Sequence, residues 1–116
     1  MQDEFIIIIL VALQEEAKSL VEQLALIKQS ASPFPMYHNG NLKLVVSGVG
    51  IDAACTAVGY IASQHARSQT LFWLNIGTSG HKTFPIGKVV VASKISSNND
   101  SKTFFPTPIF SDNFVL

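Results

Sequence analysis

Phe5-Ile6-Ile7-Ile8-Ile9-Leu10-Val11 is an unbroken apolar run built mainly from isoleucine. β-Branched side chains suit an extended backbone, and a run without polar alternation marks a strand covered on both faces, as in a parallel sheet. The run is too short to cross a bilayer, and Asp3 and Glu4 precede it where a secretory signal would carry Lys or Arg. It reads as the central strand of a layered sheet.

Beyond Val11, helix and strand patterns alternate. Leu13, Ala17, Leu20, Val21, Leu24 and Ile27 recur at helical spacing and predict a helix over 14–28, with Glu15 and Glu16 in its first turn and Lys28 in its last. Pro33 and Pro35 break the pattern. Met36–His38 and Leu42–Ser47 then flank Asn39-Gly40-Asn41 and predict a hairpin. Gly48–Gly50 opens a second helix, with Ile51, Ala54, Cys55, Val58, Ile61, Ala62 and His65 on one face. Leu71–Ile76 is a further apolar strand, 77–80 a tight loop and Gly87–Ala92 another buried strand. This order predicts an α/β fold in three layers, a mixed and largely parallel sheet with flanking helices.

From Ser93 the chain turns polar, yet residues 93–116 hold Phe104, Phe105, Phe110 and Phe114, half of its eight phenylalanines. The expected organisation is therefore an α/β segment over 1–92 and a tail over 93–116 that packs on a partner or leads into further structure. One apolar patch of this kind predicts a chain that is not a stable monomer.

Composition narrows the function. The chain is 47% hydrophobic and 14% charged, so a large share of it must be buried. Eight basic residues balance eight acidic ones, which argues against nucleic acid or an anionic membrane as partner. Cys55, the single cysteine, forms no internal disulfide and belongs to no paired zinc motif. The expected setting is a reducing cytoplasm, and the expected place of Cys55 is the core.

Three segments could carry chemistry. Gly48-Val49-Gly50-Ile51-Asp52-Ala53 fits a glycine-rich turn into a helix, which either cradles a phosphate or merely permits a tight turn. A dinucleotide cofactor would need an acidic residue at the end of the next strand, and 53–72 contains none, so no cofactor is expected. Gly77-Thr78-Ser79-Gly80 follows a strand at the end where ligands dock in α/β sheets, and is otherwise an ordinary turn. Glu16 lies on the same edge, as a proton acceptor or as an acid favouring the helix dipole. Of the remaining groups, His38 reads as a surface residue, His65 as a helix-end histidine and His81 as a residue within reach of the loop. Trp73 reads as core or interface.

Together and in this order, the three segments resemble the nucleoside phosphorylase and nucleosidase superfamily. The likeness is greatest to its methylthioadenosine/S-adenosylhomocysteine nucleosidase branch. Ala12-Leu13-Gln14-Glu15-Glu16-Ala17 is similar to that branch's acidic motif, and Ser47-Gly48-Val49-Gly50 with Asp52-Ala53-Ala54 to its Ser-Gly-Ile-Gly turn and helix. Asn75-Ile76-Gly77-Thr78-Ser79-Gly80, followed by Ile86-Gly87-Lys88-Val89-Val90-Val91, resembles its Asn-Thr-Gly-Ser-Ala-Gly loop and the strand after it.

The resemblance implies a purine-nucleoside N-ribosyl hydrolase acting as a homodimer, with a small nucleoside as partner. Glu16 would help activate water, Val49 would line the pocket near the ribose 5′ substituent, and Gly77, Thr78, Ser79 and Gly80 would flank the ribose and purine. Phosphorolytic relatives carry an Arg where this chain has Asn75, so water is the expected nucleophile rather than phosphate. The likeness runs from Ile6 to about Ser93, the N-terminal half of that fold. The family's purine-protonating Asp has no counterpart here, since Asp100 and Asp112 lack its context. A chain without that acid is expected to be a poor catalyst, or a module that binds a nucleoside or a partner without turnover.

Overall fold

The computed structural model describes residues 5–106, and the chain divides between Ser79 and Gly80 into two units. The first unit is mixed α/β. It runs β1 (Phe5–Val11), α1 (Gln14–Gln23), β2 (Ile27–Ser30), β3 (Met36–Asn39), β4 (Leu42–Val46), α2 (Ile51–Ser63) and β5 (Thr70–Asn75). The strands form one sheet in the order β2-β3-β4-β1-β5.

The Ile-rich run is an interior strand. β1 pairs in parallel with β4, from Ile7↔Leu42 to Val11↔Val46, and with β5, from Phe5↔Thr70 to Leu10↔Asn75. Successive side chains of a strand point to opposite faces. Ile6 and Ile8 accordingly join one apolar cluster with Met36, Val45 and, from α2, Ala57 and Ile61. Ile9 and Val11 join a second with Leu26, Leu44, Val46 and, from α1, Ala17. Each helix thus adds to one cluster, and β1 can be apolar throughout because both its faces are covered.

The sheet is less parallel than the sequence predicts. β3 runs antiparallel to both β2 and β4, so two of the four pairings are antiparallel. The extra strand comes from residues expected to be helical. α1 ends at Gln23 and Ile27–Ser30 is β2, so Lys28 lies in a strand rather than a last helical turn. The helix stops in a Schellman motif: Leu26 N–H donates to Val21 O at 2.9 Å and Ala25 N–H to Glu22 O at 3.3 Å, with Ala25 at φ 53°. Leu26, next along, is buried. The Asn39 side-chain amide, 15 and 14 residues on, donates to the carbonyls of Leu24 and Ala25, both at 3.2 Å.

The face of α2 also differs. Ala57 and Ile61 are its buried residues, whereas Ile51, Cys55 and Ala62 are exposed. Cys55 is a free, exposed thiol, not a core residue. The helix is apolar nearly all round, with Asp52 its one charged residue, so periodicity alone finds buried Ile61 and half-buried Ala54, Val58 and His65 but misses Ala57 and adds exposed residues.

In the second unit β6 (Ile95–Ser96) pairs antiparallel with β7 (Thr103–Phe104), a small hairpin inside the polar segment. The strand expected over 87–92 does not form; only Val91 makes an isolated bridge. An apolar run becomes a buried strand only when it finds a ladder and cover, and Val89 is exposed. Phe104 and Phe105 are exposed as well, while Phe110, Asp112 and Phe114 lie outside the described residues.

Candidate functional site at the carboxyl edge of the sheet

β1, β4 and β5 are parallel, so their carboxyl ends share one edge. The ladders continue past the strand ends and hold the exiting loops side by side. Ser47 N–H donates to Val11 O at 2.9 Å, Gly48 N–H to Ala12 O at 3.1 Å, and Ile76 N–H to Leu10 O at 3.0 Å. Ser47 is buried, its hydroxyl donating to Gly48 O at 2.9 Å. Gly48 and Gly50 sit at φ 93° and 107°, which residues with a Cβ rarely adopt. That backbone requirement explains both glycines, and it turns Val49 outward, 74% exposed, at the head of α2.

Glu16 occupies the centre of this edge. It is the third residue of α1, and its Oε1 accepts from the N–H groups of Leu13 at 3.0 Å and Ala12 at 3.1 Å. This is half of a capping box. Leu13 stands at the N-cap with no side-chain acceptor to return the bond. Oε2 reaches the other loop, accepting from the Thr78 N–H at 3.0 Å and the Thr78 hydroxyl at 3.1 Å across 62 residues of chain. Gly77 packs so closely that a methyl group added there would stand 3.4 Å from Oε2.

Four donors therefore surround one half-buried carboxylate. The Leu13 N–H does most to hold its pKa below the ordinary glutamate value, followed by the Thr78 N–H. Partial desolvation pushes upward against them, and the Thr78 hydroxyl and Ala12 N–H add to the lowering. The group is an anion at neutral pH with both oxygens engaged.

Of the residues expected at a site, the structure brings together Glu16, Gly77 and Thr78, with Val49 on the loop beside them. Ser79 is exposed and ends the first unit, while Gly80 opens the second. His81 also lies in the second unit. Its Nδ1 accepts from the N–H groups of Phe84 at 3.0 Å and Thr83 at 3.1 Å, and its ring stacks on Phe84. Those bonds place the ring proton on Nε2. The Ala12 and Leu13 amides are partners that the reading of the sequence misses. A Glu at the third helical position is the signal for them, masked here by the apolar N-cap.

An open depression beside α1 is lined by Gln14, Glu15, Lys18, Val21, Glu22 and Tyr37, and it leaves out Glu16, Thr78 and Val49. Among the described residues, no group of three or more His, Cys, Asp or Glu could hold a metal ion, and no helix is long and apolar enough to cross a membrane. No protein-family model, curated protein or solved structure matches the chain.

Proposed function

We propose that the chain is a purine-nucleoside N-ribosyl hydrolase of the nucleosidase type or a close relative, with a nucleoside seated on the carboxyl edge between the loops that carry Glu16, Val49 and Thr78. The observation that carries this reading is the meeting of the Glu16 carboxylate with the Thr78 hydroxyl and N–H at the ends of β1 and β5. Ligands of α/β sheets dock outside that edge. Exposed Val49 offers apolar surface for the 5′ side of the ribose, and the nucleosidase-like order of the three segments supports the substrate class. The larger architecture proposed is the three-layer nucleoside phosphorylase type, acting as a homodimer in the cytoplasm.

Hydrolysis forms a bond from water oxygen to the anomeric carbon and breaks the bond from that carbon to the purine nitrogen. The electron pair leaves with the base, which takes its proton from solvent because the chain has no counterpart of the family's purine-protonating Asp, and the attacking water gives one up. Glu16 is the acceptor for the latter. Its four donors leave no lone pair for water, so the Thr78 hydroxyl must first turn from Oε2 to the ribose, freeing one acceptor site. Because its pKa is held down, Glu16 is ionised throughout the neutral range.

The same observation favours a second reading, nucleoside binding without turnover. A carboxylate held by four donors and shifted downward is a weak base, and it braces two loops whether or not a proton moves. Calorimetric titration with purine nucleosides, together with chromatographic assay of the freed base with and without phosphate, separates these cases. Base release indifferent to phosphate supports the hydrolase, whereas binding without release supports the module. A requirement for phosphate makes the chain a phosphorylase despite Asn75, and no binding at all overturns every nucleoside reading. In an active chain Glu16→Gln should lower kcat by ~10²-fold or more with binding changed only a few-fold. Thr78→Val, which keeps the N–H bond, should retain most of kcat; an equal loss in both variants would reduce Glu16 to a positioning residue.

A further inference from the structure

Asparagine is a chemically labile residue, and its amide is most readily lost when the next backbone nitrogen is unhindered. Asn39-Gly40 is the one Asn-Gly step of the sequence; the other asparagines precede Leu, Ile, Asn, Asp or Phe, whose side chains shield that nitrogen. β3 ends at Asn39 and β4 begins at Leu42, so Gly40 and Asn41 form a two-residue turn, with Gly40 at φ 62°. Asn39 and Gly40 are exposed, and a methyl group added to Gly40 would meet open space. Among the described residues the Gly40 N–H meets no acceptor. An unbonded, unshielded nitrogen therefore follows the Asn39 side-chain amide directly along the chain.

The same side chain holds the end of α1. Its Nδ2 donates to the carbonyls of Leu24 and Ala25, both at 3.2 Å, just past the last residue of the helix. Carbonyls at that end lack helical partners and form the negative pole of the helix dipole. An amide suits them because it donates, whereas a carboxylate can only accept.

We propose that Asn39-Gly40 is a self-modification site, at which the folded chain loses the Asn39 amide to attack by the Gly40 nitrogen and the carboxylate so formed releases the end of α1. The Gly40 nitrogen bonds to Asn39 Cγ and the Cγ–Nδ2 bond breaks. Ammonia leaves with that electron pair and with the proton given up by the Gly40 nitrogen, closing a succinimide ring. Water then opens the ring and returns a proton to the Gly40 nitrogen. Addition at Cγ gives aspartate; addition at the backbone carbonyl carbon gives isoaspartate, which adds a methylene to the main chain where β3 turns to β4. Either product lacks the two donors and sets a negative charge beside the negative pole of α1. What loosens is the turn over 24–26 that carries the chain from α1 into β2. The inference does not depend on the nucleoside reading.

To test it, the folded chain is kept for several weeks in neutral buffer at physiological temperature, and the form that gains a negative charge is separated by anion exchange. Peptide mapping should place the change at Asn39, with aspartate and isoaspartate both present and oxygen from labelled water in the new carboxyl group. In the separated form the amides of Leu24, Ala25 and Leu26 should exchange hydrogen about tenfold faster than in fresh protein, a larger change than in β1. Asn39→Asp should reproduce that change without ageing; should this variant fail to fold, the aged wild-type form makes the comparison alone. An Asn39 amide that persists in the folded chain while the urea-unfolded chain loses it shows that the fold protects the site, and overturns the proposal. So does a charge gained first at another asparagine, and so does a modified form whose three amides exchange no faster, since the two donors then do not hold α1.

Discussion

Glu16 joins two loops because a carboxylate offers acceptors on both oxygens. Glutamine keeps its shape but turns one oxygen into a donor, which must then face either the Ala12 and Leu13 amides or Thr78. Glu16→Gln should therefore lower stability, and the loss should depend on pH. The folded-state pKa lies below the unfolded one, so the stabilisation is complete above the ordinary glutamate range and is lost as pH falls through the folded value. Urea unfolding should show the gap between wild type and variant at its widest near neutrality and narrowing from about pH 5 downward. A gap that stayed constant to acid would mean that the charge is not what the four donors hold. The candidacy of this residue is legible from its place after the first strand. Its partners are not, because Thr78 comes 62 residues later and only the ladder of β1 and β5 brings it within reach.

Ala25 shows why periodicity carries the first helix several residues too far. A residue at positive φ in the C′ position is usually glycine, and alanine there carries no stop signal. The helix ends all the same, because Leu26 is pulled into the core and Asn39 catches the exposed carbonyls. Ala25→Gly should relieve the left-handed strain and raise stability by about 0.5–1 kcal/mol, read as a higher urea midpoint at unchanged slope. A lower midpoint would show that the backbone there is not strained. The strand expected over 87–92 is missing for a related reason: its apolar residues satisfy the pattern, but pattern without a ladder is not a strand.

Every residue of the two apolar clusters, buried or partly buried, lies at or before Ile76. The five-stranded sheet likewise ends at Asn75. A fragment ending at Ser79 should therefore keep the sheet and unfold cooperatively in urea, and limited proteolysis of the full chain should leave a resistant core of that extent. A fragment without a cooperative transition would show that residues beyond Ser79 are needed to hold the sheet. The shift in composition at Ser93 falls within the second unit, since composition reports solvation, whereas the division at Ser79 follows where packing ends.

The interior strand, the hairpin after it, the two helices in outline and the edge on which Glu16 and Thr78 meet can all be read from the order of residues. Those features rest on local chemistry: β-branched runs extend, glycines permit turns, and parallel strands deliver their loops to one edge. Long-range packing settles the rest. It ends α1 at Gln23 and makes Ile27–Ser30 a strand, because burial of Leu26 and the bonds from Asn39 outweigh a weak helical preference. It selects which stripe of a nearly uniform α2 faces the sheet, leaving Cys55 outside. It also fills both oxygens of Glu16 and leaves one side of β5 unpaired among the described residues, since hydrogen bonds between distant segments exist only once the chain has brought their partners together.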